Sequence, residues 1–231
     1  MIQRLKTELK KLQQIIYDRI FIKSKRIIEQ FHILYYQILR AWDNNTFWFG
    51  TPIQKFPLDL WIYQEIIFKL KPDLIIECGT ANGGSAYFLA SLFDLLDNGR
   101  IITIDIENKN DRPKNKRITY LLGSSTSQII VDQVKNLIND QDKILVILDS
   151  DHHKEHVLNE LRIYSKFVTI GSYLIVEDTN LNGHPVRAEY GPGPMEAVKE
   201  FLKKNKNFKI DKTREKLHIT FNPNGYLLKI K

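Results

Sequence analysis

The sequence predicts an α/β fold: a doubly wound, Rossmann-like, mostly parallel sheet with a C-terminal antiparallel hairpin, preceded by an N-terminal helical segment. Three observations carry that reading. Apolar runs of strand length at 74–78, 101–105, 118–121, 144–149 and 172–177 alternate with helical patterns at about 84–97, 126–138 and 153–166. Such alternation builds a parallel sheet covered on both faces. The stretch Asp73 to Ser85 passes from an apolar run through an acid and a glycine turn into a helix, a strand-turn-helix cradle. Near the C-terminus, Asn222-Pro223-Asn224-Gly225 precedes an apolar segment, as an Asn-Gly hairpin turn would.

The 231 residues are 43% hydrophobic and 26% charged, which suffices for one sizeable core. The expected division is a basic amphipathic helical extension over 1–41 and one α/β domain over 42–231. The net charge of +7 belongs to the extension: residues 1–40 hold nine Lys/Arg against three acids, leaving 25 against 24 elsewhere. A nucleic-acid partner needs a basic face on the domain and is not expected. Cys78 is the single cysteine, which excludes an internal disulfide and a cysteine zinc site and suits a reduced compartment. No segment resembles a signal peptide, and no run of about 18 uncharged apolar residues occurs. The expected location is cytoplasmic, with the basic helix available to the cytoplasmic face of a membrane.

Within residues 2–40, Leu5, Leu9, Leu12, Ile16, Ile20, Ile27, Phe31, Leu34 and Ile38 recur near helical spacing, predicting one long helix or two in succession. Such a stripe packs on its own domain, pairs with a second copy in a homo-oligomer, or lies on an anionic membrane. The first two are favoured, because an apolar helical stripe is usually core. Residues 42–57 carry aromatics interrupted by Gly50, Pro52 and Pro57, and read as a connector that anchors to the core or lines a pocket. A helix follows from Asp59 to Leu70, stopped by Pro72. Further on, Pro194 suits the first turn of a helix over 195–204. The stretch 180–194 is rich in glycine and proline and long for a loop of this fold. It reads as a lid or substrate wall, with Arg187 able to meet an anionic group.

Ligands of open α/β sheets bind outside the carboxyl ends of the strands. The first strand delivers Glu77 and the turn containing Gly79, Thr80, Asn82, Gly83 and Ser85. This turn is not G-x-G-x-x-G and lacks the Gly-Lys-Ser/Thr ending of a phosphate loop, which argues against an NTPase. An acid at the strand end suits an amino-bearing ligand, and S-adenosylmethionine is the one expected, with an ordinary strand-helix turn of a doubly wound sheet as the plain alternative. The second strand ends in Asp105, able to accept both ribose hydroxyls or, equally on its own evidence, to serve as a surface or capping residue. The third leads into Ser124 and Ser125, suited to an adenine edge or to capping the next helix. The fourth and fifth deliver Asp149, Asp151 and the pair Glu177-Asp178. Carboxylates gathered this way repel unless a cation lies between them, and hard oxygen donors in that number suit Mg²⁺. Asp151, Glu177 and Asp178 are assigned to the ion and Asp149 to the cofactor. A zinc site on His152, His153 or His156 is the competing reading, and it lacks a compact histidine pair. Turn capping is the plain alternative for Glu177-Asp178.

Several longer motifs follow one another in order: Lys55-Phe56-Pro57-Leu58-Asp59-Leu60-Trp61, Glu77-Cys78-Gly79-Thr80 with Gly83-Gly84-Ser85, Leu148-Asp149-Ser150-Asp151-His152 and Val176-Glu177-Asp178-Thr179. Asn182-Gly183-His184-Pro185-Val186, Gly191-Pro192-Gly193-Pro194 and Phe221-Asn222-Pro223-Asn224-Gly225-Tyr226 complete the set. Together they resemble the cephalosporin hydroxylase/rhamnosyl O-methyltransferase family over roughly residues 42–230. The resemblance implies a class I S-adenosylmethionine-dependent methyltransferase fold with a Mg²⁺ site whose ligands fall on Asp151, Glu177 and Asp178. It implies methylation of a hydroxyl on a sugar, a glycolipid or a related natural product. The alternatives are a metal-dependent hydroxylase, for which no two-histidine, one-carboxylate iron site is legible, and a non-catalytic scaffold that keeps the cofactor fold. Methylating a hydroxyl calls for a base. Asp151-His152-His153-Lys154 distantly resembles the Asp-His-x-Lys stretch of catechol O-methyltransferase, where the lysine is the base. Lys154 is therefore a candidate, with His152 and His184 as competitors.

Overall fold

The computed structural model describes residues 2–231. The side chains of residues 2–5, 8, 12 and 15–21 lie outside the described set, and with them Leu5, Leu12, Ile16 and Ile20 of the expected N-terminal stripe. Helix α1 (Ile2–His32) runs directly into a π-helical turn, Ile33–Ile38. There follow β1 (Phe47–Trp48), β2 (Thr51–Pro52), α2 (Pro57–Leu70), β3 (Leu74–Cys78), α3 (Gly84–Leu96), β4 (Arg100–Asp105), β5 (Ile118–Leu122) and α4 (Gln128–Asn136). The chain continues through β6 (Ile144–Leu148), α5 (Lys154–Tyr164), β7 (Tyr173–Val176), α6 (Pro194–Lys204), β8 (Phe208–Ile210) and β9 (Tyr226–Lys229). Helix α2 starts at Pro57, two residues before the expected start, because a proline needs no N–H partner in a first turn.

The seven-stranded sheet has the order β5-β4-β3-β6-β7-β9-β8. Strands β3 to β7 are parallel, and β9 lies antiparallel between β7 and β8. Successive strand residues point to opposite faces, and apart from Glu77 the residues of β3, β6 and β7 are apolar on both. Leu74, Ile76, Val146, Leu148, Leu174 and Val176 pack with α4, α5 and α6. Ile75, Leu145, Ile147 and Ile175 pack with α2 and α3. The doubly wound expectation is met because these runs can be buried only between two helical layers.

The C-terminal hairpin is present, but its turn is elsewhere. Strands β8 and β9 pair antiparallel across the long connection 211–225, which includes a 3₁₀ turn, Lys212–Glu215. Asn222 to Gly225 sits at the end of that connection, against the end of β7. A Cβ on Gly225 would lie 2.1 Å from the Val176 carbonyl oxygen, so only glycine lets the two segments approach. Asp59 fixes the same segment, accepting from Thr220 Oγ1 at 2.5 Å, Phe221 N at 2.9 Å and the Tyr226 hydroxyl at 2.9 Å.

The N-terminal segment behaves as two parts. From Ile22 to Ile27 six consecutive residues of α1 are exposed, more than one helical turn, so no face of the helix is buried there. Its C-terminal end is docked. His32 and Tyr36 are buried, and Phe31, Tyr35 and Tyr36 join Trp42, Phe56 and Phe221 in an aromatic cluster.

Candidate active site

Strand order reverses between β3 and β6, whose following helices lie on opposite faces of the sheet, and a crevice opens there. Gly79 makes it possible. Its φ is +100°, and a Cβ would lie 1.8 Å from the Asp149 carbonyl oxygen. The crevice is a cavity of about 640 Å³ lined by the glycine turn, the ends of β4 and β6, the β5–α4 loop and Asp178.

Most cofactor residues expected from the sequence meet at this cavity: Gly79, Thr80, Asn82, Ser85, Asp105, Ser124, Ser125 and Asp149 all line it. Gly83 sits behind it, as the residue from which α3 starts. Asp105 accepts from the backbone N–H groups of Thr80 at 3.0 Å and Ala81 at 2.7 Å, so it shapes the turn as well as facing the cavity. Glu77 is fully buried beneath the cavity and accepts from Thr103 Oγ1 at 2.7 Å. Burial raises its pKa, opposed by the Lys55 charge and by hydrogen bonds.

Lys55, itself in the cavity wall, organises the acids. Glu77, Asp149 and Glu177 come from the ends of three neighbouring strands, and the buried Lys55 ammonium contacts Asp149 and lies 2.7 Å from Glu177 Oε1. Burial disfavours its charge, but the Asp149, Glu177 and Glu77 carboxylates outweigh burial and hold it above the usual lysine range. Burial, with the Asp149 charge beside it, pushes Glu177 up to about 7 even with Lys55 in contact. Burial also raises Asp149 and Asp178, against the pull of Lys55 and His152.

Asp178 leaves β7 in the left-handed region, with φ +52°, and its N–H donates to Asn222 Oδ1 at 3.1 Å. The turn carries its carboxylate into the cavity beside Asp149. Among the described residues, Asp149, His152 and Asp178 each bring one possible ligand atom within 4.8 Å of the others. His152 Nε2 is 3.3 Å from Asp178 Oδ2. Asp151 also lines the cavity, but its carboxylate is turned to His153, accepting from the backbone N–H at 2.9 Å and lying 2.5 Å from Nδ1. Of the three candidate bases, His152 lines the cavity. Lys154 pairs with Glu200 at 2.8 Å and His184 with Glu196 at 2.7 Å, and neither lines it.

A scan against family models matches residues 40–230 to rhamnosyl O-methyltransferase/CmcI. The chain belongs to that family. In keeping with this, it is 38% identical to the rhamnosyl O-methyltransferase of Mycobacterium tuberculosis over 213 residues, covering 89% of this chain and 86% of the relative. The rhamnosyl O-methyltransferase of Mycobacterium leprae is 37% identical, with 91% and 93% covered. Among solved structures, CmcI with Mg and SAM superposes with a TM-score of 0.63 at 19% identity, over 81% of this chain and 78% of CmcI, which shows the shared fold. As a member of the rhamnosyl O-methyltransferase/CmcI family, the chain is an O-methyltransferase.

This family member also has site residues that sequence reasoning did not single out. Tyr36, just outside the matched region, points its hydroxyl at Asp178 Oδ2, 3.5 Å away, and stacks on Trp42, whose ring lines the cavity. Burial and the Asp178 and Asp149 charges raise its pKa, so it meets Asp178 as a neutral donor. Lys55 appeared only inside a motif. Glu160 lies on the inner face of α5 with His156 and holds two serines of the cavity wall. A charged residue on the apolar stripe of α5 was the one available signal.

Proposed function

We propose that this chain moves the methyl group of S-adenosylmethionine to a hydroxyl of a rhamnosyl or related deoxysugar, on a glycolipid or a similar natural product, with Mg²⁺ at the acceptor. The observation that carries the substrate class is the 38% identity to rhamnosyl O-methyltransferase across most of both chains. The cavity suits the donor: it is large enough, and Asp105, Ser124 and Ser125 present polar groups along one side.

The residues fit Mg²⁺ in their donor chemistry. Asp178 and Asp149 oxygens converge beside His152, Asp151 stands at the same cavity, and the Lys55 ammonium already lies against Asp149. When bound, Mg²⁺ lowers the pKa of a ligated hydroxyl and orients it. Asp151, Glu177 and Asp178 are the proposed ligands. The convergence of Asp149, His152 and Asp178 favours a second set. His152 is the proposed proton acceptor in the first arrangement, since it alone of the candidate bases faces the cavity. Lys55, held between Asp149 and Glu177, keeps the donor side and the metal side in register, and registration is a large part of catalysis for an in-line transfer. The domain boundary at 41/42 is proposed as functional rather than structural: residues 42–231 supply donor and metal sites, and the helical extension governs access and location.

The test is mass spectrometry of a rhamnosyl glycolipid incubated with the protein and S-adenosylmethionine, with and without EDTA. A gain of one methyl, lost with EDTA, is expected. No methylation of any deoxysugar acceptor by cofactor-loaded protein sinks the substrate assignment. Calorimetric Mg²⁺ titration separates the ligand sets. Asp151→Ala weakens binding at least about tenfold in the first set and Asp149→Asn in the second, each being the loss of one charged ligand.

The extension is proposed to touch an anionic membrane surface on the cytoplasmic side. No helix among the described residues is long and apolar enough to cross a membrane. The exposed stretch Ile22 to Ile27 combines Ile22 and Ile27 with Lys23, Lys25 and Arg26, the composition of an interfacial helix. Self-association through the same helix is the competing occupant.

A further inference from the structure

Helix α5 carries His156, Glu160 and Tyr164 four residues apart, on one face. All three reach one residue of the β5–α4 loop. Ser125 Oγ donates to Glu160 Oε1 at 2.5 Å and lies 3.3 Å from His156 Nε2, while the Tyr164 hydroxyl donates to the Ser125 carbonyl at 2.8 Å. From the end of β6, Ser150 Oγ donates to the same Glu160 oxygen at 2.7 Å.

Glu160 has no exposed surface, its Oε2 makes no hydrogen bond, and its ion-pair partner among the described residues is His156 at 3.4 Å. A buried carboxylate with no permanent cation is costly. Its neighbours on the stripe are Val157 and Leu161, and an apolar side chain would pack there without that cost. The carboxylate therefore calls for a role, and its effect on the serines supplies one. A hydroxyl has one proton and two lone pairs. Glu160 takes the protons of both the Ser125 and the Ser150 hydroxyl, so what these two hydroxyls turn towards the cavity they line is acceptor only.

We propose that Glu160 is a positioning residue that fixes Ser125 and Ser150 as hydrogen-bond acceptors, making this end of the cavity select a purine with a 6-amino group over its 6-oxo counterpart. The inference rests on the donor reading above and adds a discriminating residue to it. A buried acceptor facing a carbonyl is left unpaired, whereas one facing an amino group is satisfied, and sites built on such pairing discriminate strongly.

The experiment is calorimetric binding of S-adenosylhomocysteine and S-inosylhomocysteine to the full chain and to Glu160→Gln. The two ligands differ at purine position 6, amino against oxo, and in the proton that N1 carries in the inosyl ligand alone. The unaltered protein is expected to prefer the adenosyl ligand by at least about tenfold, the size of one unpaired polar contact. In Glu160→Gln the amide N–H₂ donates to one serine, whose own proton then turns to the cavity. The preference falls towards unity while the inosyl ligand binds no worse. A general loosening of the fold would weaken both ligands together, and an unchanged ratio in the variant overturns the proposal. Should Glu160→Gln not fold, Ser150→Ala and Ser125→Ala each remove one acceptor, and a ratio unchanged in both overturns it equally. Unaltered protein that binds both ligands alike refutes the selectivity and leaves the donor reading standing. Protein that binds neither refutes the donor reading and the selectivity with it.

Discussion

Lys55 shows most directly how single residues set this site. It is 4% exposed, with carboxylates of two strand ends in contact. Removing one partner of a buried ionic group leaves the others uncompensated, at about 3–5 kcal/mol. Lys55→Met is therefore expected to lower unfolding free energy by roughly that amount in urea denaturation. Lys55→Arg is not expected to restore it, because a planar guanidinium cannot occupy the space of a compact ammonium. Loss of less than about 1 kcal/mol in Lys55→Met would mean the acids are neutral in the native state. The same residue marks a limit of sequence reading. Gly79, Asp105 and Glu177-Asp178 are legible because strand ends and turns are local patterns. Lys55 meets Asp149 across 94 positions, and Tyr36 meets Asp178 across 142. Pairings of that range leave no local trace, and neither does the rotamer that turns Asp151 to His153.

At the scale of elements, the docking of α1 is decided by its last turn and the π-helical turn after it. π-Helical turns recur at functional sites, and this one aims Tyr36 at Asp178 while Phe31 and Tyr35 pack on Phe56. The sequence foretold the helix, since its pattern is periodic, but the stripe does not pack on the domain at Leu9, Ile27, Leu34 and Ile38, which are exposed. The sequence could not foretell the π turn, which depends on what the helix meets. His32 makes the docking sensitive to acid. It is buried, its Nδ1 has no hydrogen-bond partner, and burial lowers its pKa from 6.5 to about 4. The unfolded chain thus takes up the proton first as pH falls. The stability contributed by neutral His32 is present above about 6.5 and is lost as pH falls towards 4, by about 2 kcal/mol between pH 7 and pH 5. Urea unfolding at the two pH values should show this loss. It should shrink in His32→Phe, whose ring fits beside Phe221 without titrating. An equal loss in the variant would place the acid sensitivity elsewhere.

For the whole molecule, the uneven charge divides the chain into a nearly neutral enzyme and a basic helix. Among the described residues, the hydrophobic clusters draw on none before Phe31. Deleting residues 2–28 removes eight Lys/Arg and two acids and takes the net charge from +7 to +1. The shortened chain keeps the π turn, the aromatic cluster and the cavity. It is expected to bind S-adenosylhomocysteine as the full chain does and to unfold at the same urea concentration. Its attachment to vesicles should differ. Each Lys or Arg near an anionic surface contributes about 1 kcal/mol, and Ile22 and Ile27 add apolar contact. The full chain is therefore expected to sediment with vesicles containing phosphatidylserine and to be released as salt shortens the Debye length. The shortened chain should stay in solution. Light scattering separates the competing occupant: a full chain that is dimeric, becomes monomeric on deletion and ignores the vesicles assigns the helix to self-association. If the membrane outcome holds, the acceptor is met where glycolipids are, and the helix raises turnover on vesicle-borne acceptor while leaving turnover on a detergent-free, water-soluble rhamnoside unchanged.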